Sequence, residues 1–247
     1  PPLDRVKPEH FAPAYAQALS DHRAEIAHIA GDTSPPDFAN TVIAFERSGE
    51  LLTRVDAVFS ALAGSATNEA LQAIEREMAP RLSAHANAIY LNAKLFARLD
   101  TVWRHRDTLN LDPESRAVLE RIHLDFVRAG ARLSPQARAR MDAINQRLAT
   151  LSTEFSQNVL ADEDDYVEPL TETQVAGADD SQRAALADSA KERGLDAPYA
   201  VTLSRSSIEP FLQAASDRAV REKLFKAWVR RGANQGAYDN SAVMAET

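Results

Sequence analysis

The chain contains no cysteine, which removes disulfides, thiolate nucleophiles and every cysteine-based metal site at once. It has only 8 glycines in 247 residues, so little interrupts a helix. Gly64, Gly130 and Gly194 each stand alone, and no glycine-rich turn that could cradle a phosphate is present. No apolar run approaches the roughly 20 residues that a bilayer-spanning helix needs, so no membrane partner is expected. The opening Pro1-Pro2-Leu3-Asp4 lacks both the charged and the apolar region of a signal peptide. With 36 acidic against 28 basic side chains the formal charge is -8, the wrong sign for displacing counterions from phosphates, and no nucleic-acid partner is expected.

What is present is helix-forming. The apolar content is 45%, enough for a sizeable core without staples. Phe38, Val42 and Phe45, then Leu52, Val55, Phe59 and Leu62, recur at helical spacing, as do Leu95, Leu99, Val102 and Trp103. Asn68 and Asn92 read as caps of the helices that follow them, and Pro80 as a kink in the first. Asp112-Pro113 and Ser134-Pro135 each combine an N-cap with a proline at the first helical position. The helix after Ser134 carries the stripe Ala137, Met141, Ile144, Leu148, Leu151, Phe155 and Val159. It is expected to pack antiparallel against its predecessor through Val118, Ile122 and Phe126.

The like-charge run Asp162-Glu163-Asp164-Asp165 reads as a loop or a boundary. Beyond it, Tyr166-Val167-Glu168 and the alternating Tyr199 to Leu203 are expected to pair as two short strands. Between them a helix from about Asp180 to Arg193 would be closed by Gly194, and helical pattern resumes from about Ser207. The fold class is therefore mostly α with one small β element. The division expected is a helical lobe over 1–160, a small α/β insertion over 161–205, and further helices over 206–247. The final stretch Ala242 to Thr247 reads as one turn of a helix without a stop signal, so the natural polypeptide is expected to continue.

Candidate chemistry is sparse. A zinc peptidase helix needs histidines at i and i+4 with a glutamate between them, so that both rings and the base reach one metal. The six histidines, His10, His22, His28, His85, His105 and His123, include no such pair, and none is followed by glutamate. They read as surface or helix-flank residues. His123, between Ile122 and Leu124, is expected to be a buried, hydrogen-bonded structural imidazole. The acidic run lacks the alternation, central glycine and terminal glutamate of a calcium loop. No serine has a nucleophile-elbow context, and carboxylate neighbours such as Glu75 with Glu77, or Glu163 with Asp165, read as solvated. No catalytic, cofactor-binding or metal residue is assigned.

The stretch Asn40 to Val55 resembles the M3 family of zinc oligopeptidases. The similarity recurs at Lys7 to Phe11, Ile89 to Asn92, Leu95 to Arg98, Ala190 to Leu195, Arg221 to Phe225 and Tyr238 to Asn240, so it covers essentially the whole chain. The resemblance implies the N-terminal lobe of a two-lobed, neurolysin-like metallopeptidase, forming one wall of a channel that admits short unfolded peptides. It favours the peptidyl-dipeptidase branch, which removes dipeptides from the C-termini of oligopeptides, over the oligopeptidase A type of endopeptidase. The family's His-Glu-x-x-His motif has no counterpart here, so zinc is implied for the full-length protein only. Catalysis is implied for a C-terminal domain outside this chain, leaving the fragment itself inactive. Of the two compartments open to such a protein, the cytoplasm is expected, with the periplasm as the alternative. A stand-alone helical scaffold that binds another protein is the competing reading.

Overall fold

The computed structural model describes residues 5–247 and is mostly α-helical with one two-stranded sheet. The opening Pro1 to Asp4, from which the absence of a signal peptide was read, lies outside the described residues. Two compact units divide within one long helix, at Thr150 and Leu151.

The first unit begins with a 3-10 turn, Pro8–His10, running into α1 (Phe11–Gly31). Phe38, Val42 and Phe45 are split between a π-helical turn (Phe38–Ile43), capped by Asp37, and the short α2 (Ala44–Arg47). Gly49, at φ 73°, then turns the chain into α3 (Glu50–Ser65). A Cβ there would lie 2.6 Å from the His22 ring, so both the left-handed backbone and the close approach demand glycine. Next come α4 (Glu69–Tyr90), α5 (Ala93–Arg104) and α6 (Pro113–Ala129), whose N-caps Asn68, Asn92 and Asp112 each accept bonds from first-turn amides. The expected kink at Pro80 does not end α4, which runs on to Tyr90.

Two apolar clusters fill this unit. One gathers Val42, Leu95, Leu99, Leu119, Ile122 and Phe126; the other gathers Phe11, Tyr15, Phe59, Leu71 and Met78. Each such fully buried side chain contributes roughly 1.5–3 kcal/mol.

The helix after Ser134, α7, spans Pro135–Asp165. The expected antiparallel pairing with α6 is not what its residues do. Asn87 of α4 donates to Asp142 at 2.7 Å and accepts from Asn145 at 2.8 Å, while Arg138 reaches the Leu91 carbonyl at 3.1 Å. Amides and a carboxylate, groups that need partners when drawn out of water, therefore direct this half of the helix to α4. Its apolar stripe is only partly covered: Ile144 and Phe155 are each 37% exposed, Ala137, Met141, Leu148 and Val159 are half-buried, and Leu151 alone is buried.

Of the two readings of the acidic run, loop or boundary, the structure gives the second: Asp162 to Asp165 forms the last turn of α7. Like charges are tolerated there because they find separate partners: Asp162 accepts from the Gly232 amide, Glu163 pairs with Arg231, and Asp164 accepts through its carbonyl from Arg193.

The second unit, from Leu151, contains β1 (Val167–Leu170), α8 (Asp180–Glu192), β2 (Tyr199–Thr202), α9 (Arg205–Ala214), α10 (Arg218–Val229) and α11 (Ser241–Glu246). The strands pair antiparallel with Val167 opposite Thr202 and Leu170 opposite Tyr199. Gly194, at φ 64°, follows the end of α8. Leu170, Val201, Leu203, Ile208, Phe211 and Leu224 form the core under the sheet.

Candidate functional site

Histidine is the residue that would report metal or acid–base chemistry, and of the six only His22 and His85 come together among the described residues. His28 is exposed; His10 accepts from the Lys7 amide at 3.2 Å, and His105 meets the Thr101 carbonyl at 2.8 Å. His123 is buried on α6, its Nε2 3.0 Å from Asp100 Oδ1 and its ring stacked on Trp103 at 4.5 Å. Its place between two apolar neighbours predicts that structural role. The reading of His22 and His85 as surface or flank residues is corrected. They meet across α1 and α4, with His85 Nε2 3.0 Å from His22 Nδ1, and His22 Nε2 3.3 Å from Ser48 Oγ. Burial and the neighbouring His22 and Arg23 lower the His85 pKa to about 4. Burial also lowers that of His22, against the pull of Glu25. Both rings are neutral at pH 7.

No three His, Asp or Glu side chains converge on a common point among the described residues. Among the described residues, therefore, none brings together the donor set that zinc requires.

A cavity of about 620 Å³ lies in the second unit between α8 and α9. Ser181, Ser189, Arg193, Ser204, Ser206 and Phe211 are among its lining residues. Asp188 and Glu192 are the carboxylates of the lining, and it includes neither histidine nor lysine. The hydroxyls bond instead to their surroundings: Thr202 Oγ1 lies 3.0 Å from Ser204 Oγ, and Ser207 Oγ accepts from the Thr202 amide at 3.2 Å. Such a lining offers donors and acceptors for a polar, flexible molecule.

The segments that carry the family resemblance hold loops and helix ends. Asn40 accepts from the Asp37 amide at 3.0 Å and donates to the Pro35 carbonyl at 2.9 Å. Arg98, buried on α5, donates to the Asp32 and Ser34 carbonyls at 2.5 and 3.0 Å and to Asn40 at 2.9 Å. Two resembling stretches that are far apart in sequence thus meet at one side chain. In the second unit, Asn240 donates from its backbone to the Gly232 carbonyl at 2.7 Å and from its side chain to Phe155 at 3.2 Å. Lys223 reaches Glu168 at 2.6 Å.

The chain is 40% identical over 245 residues to dipeptidyl carboxypeptidase of Escherichia coli, covering 99% of this chain and 36% of the relative. It is 37% identical over the same length to dipeptidyl carboxypeptidase of Salmonella typhimurium. With oligopeptidase A of Salmonella typhimurium the identity is 26% over 251 residues, covering 37% of that protein. The chain resembles the N-terminal region of an M3 peptidase. It spans a little over a third of the length of these relatives, and the higher identity lies with the dipeptidyl carboxypeptidases. No profile of a known protein family matches it.

Within this M3-like chain, sequence reasoning missed the His22–His85 pair and the Asp162 anchor. In the first case the partners are 63 residues apart. A weak signal existed in Ser48-Gly49, a turn whose glycine predicts that something packs closely against it. For Asp162 the signal was Gly232 in a polar segment 70 residues away.

Proposed function

We propose that the chain is the non-catalytic N-terminal lobe of a zinc metallopeptidase that releases dipeptides from the C-termini of oligopeptides, and that it forms one wall of the substrate channel. The observation that carries this reading is the pairing of whole-chain similarity with partial coverage. The chain aligns over 99% of its length with dipeptidyl carboxypeptidase while spanning 36% of it. The use of the resembling residues as clamps and caps supports the same reading, because a wall must be rigid before it can exclude or orient anything.

In this account the groove between α8 and α9 supplies hydroxyls for the backbone of an extended peptide. The half-exposed stripe of α7 is the kind of face that further polypeptide would cover. Zinc and the groups that activate water belong to the remaining two-thirds of the protein. The whole enzyme is proposed to work in the cytoplasm; among the described residues no helix is long and apolar enough to cross a membrane.

Complementation tests the proposal. This chain is mixed with a separately expressed segment corresponding to the rest of a dipeptidyl carboxypeptidase, and dipeptide release from an oligopeptide is followed. Zinc-dependent release that requires both segments supports the lobe reading. Failure of this chain to bind the segment or restore release, with both folded, contradicts it.

A further inference from the structure

Apolar exposure is concentrated late in the chain. Among the described residues the three most exposed large apolar side chains are Phe225, Val229 and Met244, at 51, 57 and 59%, and no other exceeds 41%. Phe225 and Val229 stand one turn apart on α10 and so share a face. The other side of that helix holds Val220 and Leu224, which pack into the core under the sheet. Burial within this unit is therefore achieved by α10 without Phe225 or Val229. A single apolar residue in water is ordinary, whereas two large ones side by side, each more than half exposed, mark a surface meant for contact. Phe225 also closes Arg221 to Phe225, one of the stretches that carry the M3 resemblance; in it Leu224 serves the core of this chain and Phe225 faces water.

Two observations say what covers that face. The chain matches the N-terminal region of an M3 peptidase and only 36% of the Escherichia coli relative, so about two-thirds of such a protein follows the matched region, and the exposed apolar residues lie near its end. Charge disfavours the alternative, a second copy of this chain. Arg218, Lys223, Lys226 and Arg230 are exposed along α10 and at its end, with Glu222 the one carboxylate between Arg218 and Val229. Two such faces laid together would oppose like charges.

We propose that the Phe225 and Val229 face of α10 is a seat for the polypeptide that follows this region in an M3 peptidase, a partner that brings apolar side chains to the pair and carboxylates to the cations around it. The inference rests on the lobe reading and adds to it the surface by which the lobe is held.

The double variant Phe225→Gln, Val229→Gln tests it, because both positions are exposed and glutamine favours a helix. Titration measures binding of the separately expressed remainder of a dipeptidyl carboxypeptidase to the parent chain and to the variant, and sedimentation measures the mass of each chain alone. The parent binds as a monomer, and the variant, with helical signal and urea midpoint unchanged, binds more weakly by roughly tenfold or more, the loss expected of two apolar contacts at the centre of an interface. Equal binding by parent and variant would overturn this assignment and leave the lobe reading standing. No binding by the parent would overturn both. A parent chain that sediments as a dimer, with the variant a monomer, would give the face to a second copy and overturn the assignment as well.

Discussion

Each unit of the molecule contains one buried charge that ties a distant loop to a helix, and the two are of opposite sign. In the first unit Arg98, 7% exposed, reaches from α5 to the loop of residues 32–40 and satisfies two backbone carbonyls and two side chains there. In the second, Asp162, 9% exposed, accepts from the Gly232 amide at 2.7 Å and from Asn234 at 2.7 and 2.8 Å. The cation anchors through carbonyls, which are numerous in a loop of extended backbone. The anion needs amides that turn inward, and Gly232, at φ 68°, provides the turn. Both charges are spent on geometry, and neither is available for chemistry.

The largest expected effect follows from breaking the first anchor. Arg98→Ala empties a buried position and removes the donor to the Asp32 and Ser34 carbonyls and to Asn40, a loss of roughly 3 kcal/mol. Urea unfolding, read as a fall in midpoint with unchanged slope, measures it. A buried pair that carries no charge gives the contrast. Because the folded-state pKa of His85 is lowered to about 4, the unfolded chain takes up that proton first as pH falls. The stability contributed by the neutral ring is complete above about pH 6.5 and is lost between there and about 4, by on the order of 3 kcal/mol. Urea midpoints across that range should show the slope in the parent chain and a markedly smaller one in His85→Gln, the remainder coming from His22, whose pKa burial also lowers.

Asp162→Asn is isosteric, yet it turns an amide NH2 toward the Gly232 and Asn234 donors. A cost of roughly 1–3 kcal/mol is expected, with amide exchange accelerated around residues 230–240 more than in the first unit. Lys223→Ala, which removes an ion pair to Glu168 made by an exposed lysine, should cost less than about 1 kcal/mol. A loss at Lys223 as large as that at Asp162 would show that exposure does not rank these contacts, and the comparison between buried anchors and surface pairs would fail.

Much of the architecture is legible in the sequence, for local reasons. Asn68, Asn92 and Asp112 cap helices because an N-cap is decided within four residues, and β2 is found because alternation is a two-residue property. The failures are all non-local. Asp162 to Asp165 reads as a loop or a boundary, and that it is the closing turn of a helix is decided only by Arg231, Arg193 and the Gly232 amide beside it. The α7 stripe predicts a packed pair with α6, but Asn87, Asp142 and Asn145 need one another more than the apolar residues need cover. The His22–His85 contact cannot be read from either segment alone. The absence of a His-Glu-x-x-His helix is legible directly, and so is the M3 resemblance, because both are patterns in the order of residues and ask nothing of their contacts.

The central claim is that this chain supplies a rigid, hydrogen-bonding surface and leaves the cleavage of peptides to other parts of the protein. The direct measurement is dipeptide release from an unstructured oligopeptide by the purified 247-residue chain supplied with zinc, over a range of protein concentrations. The account predicts no release above background at any concentration. Release in proportion to the amount of chain, abolished by a chelator, would contradict it.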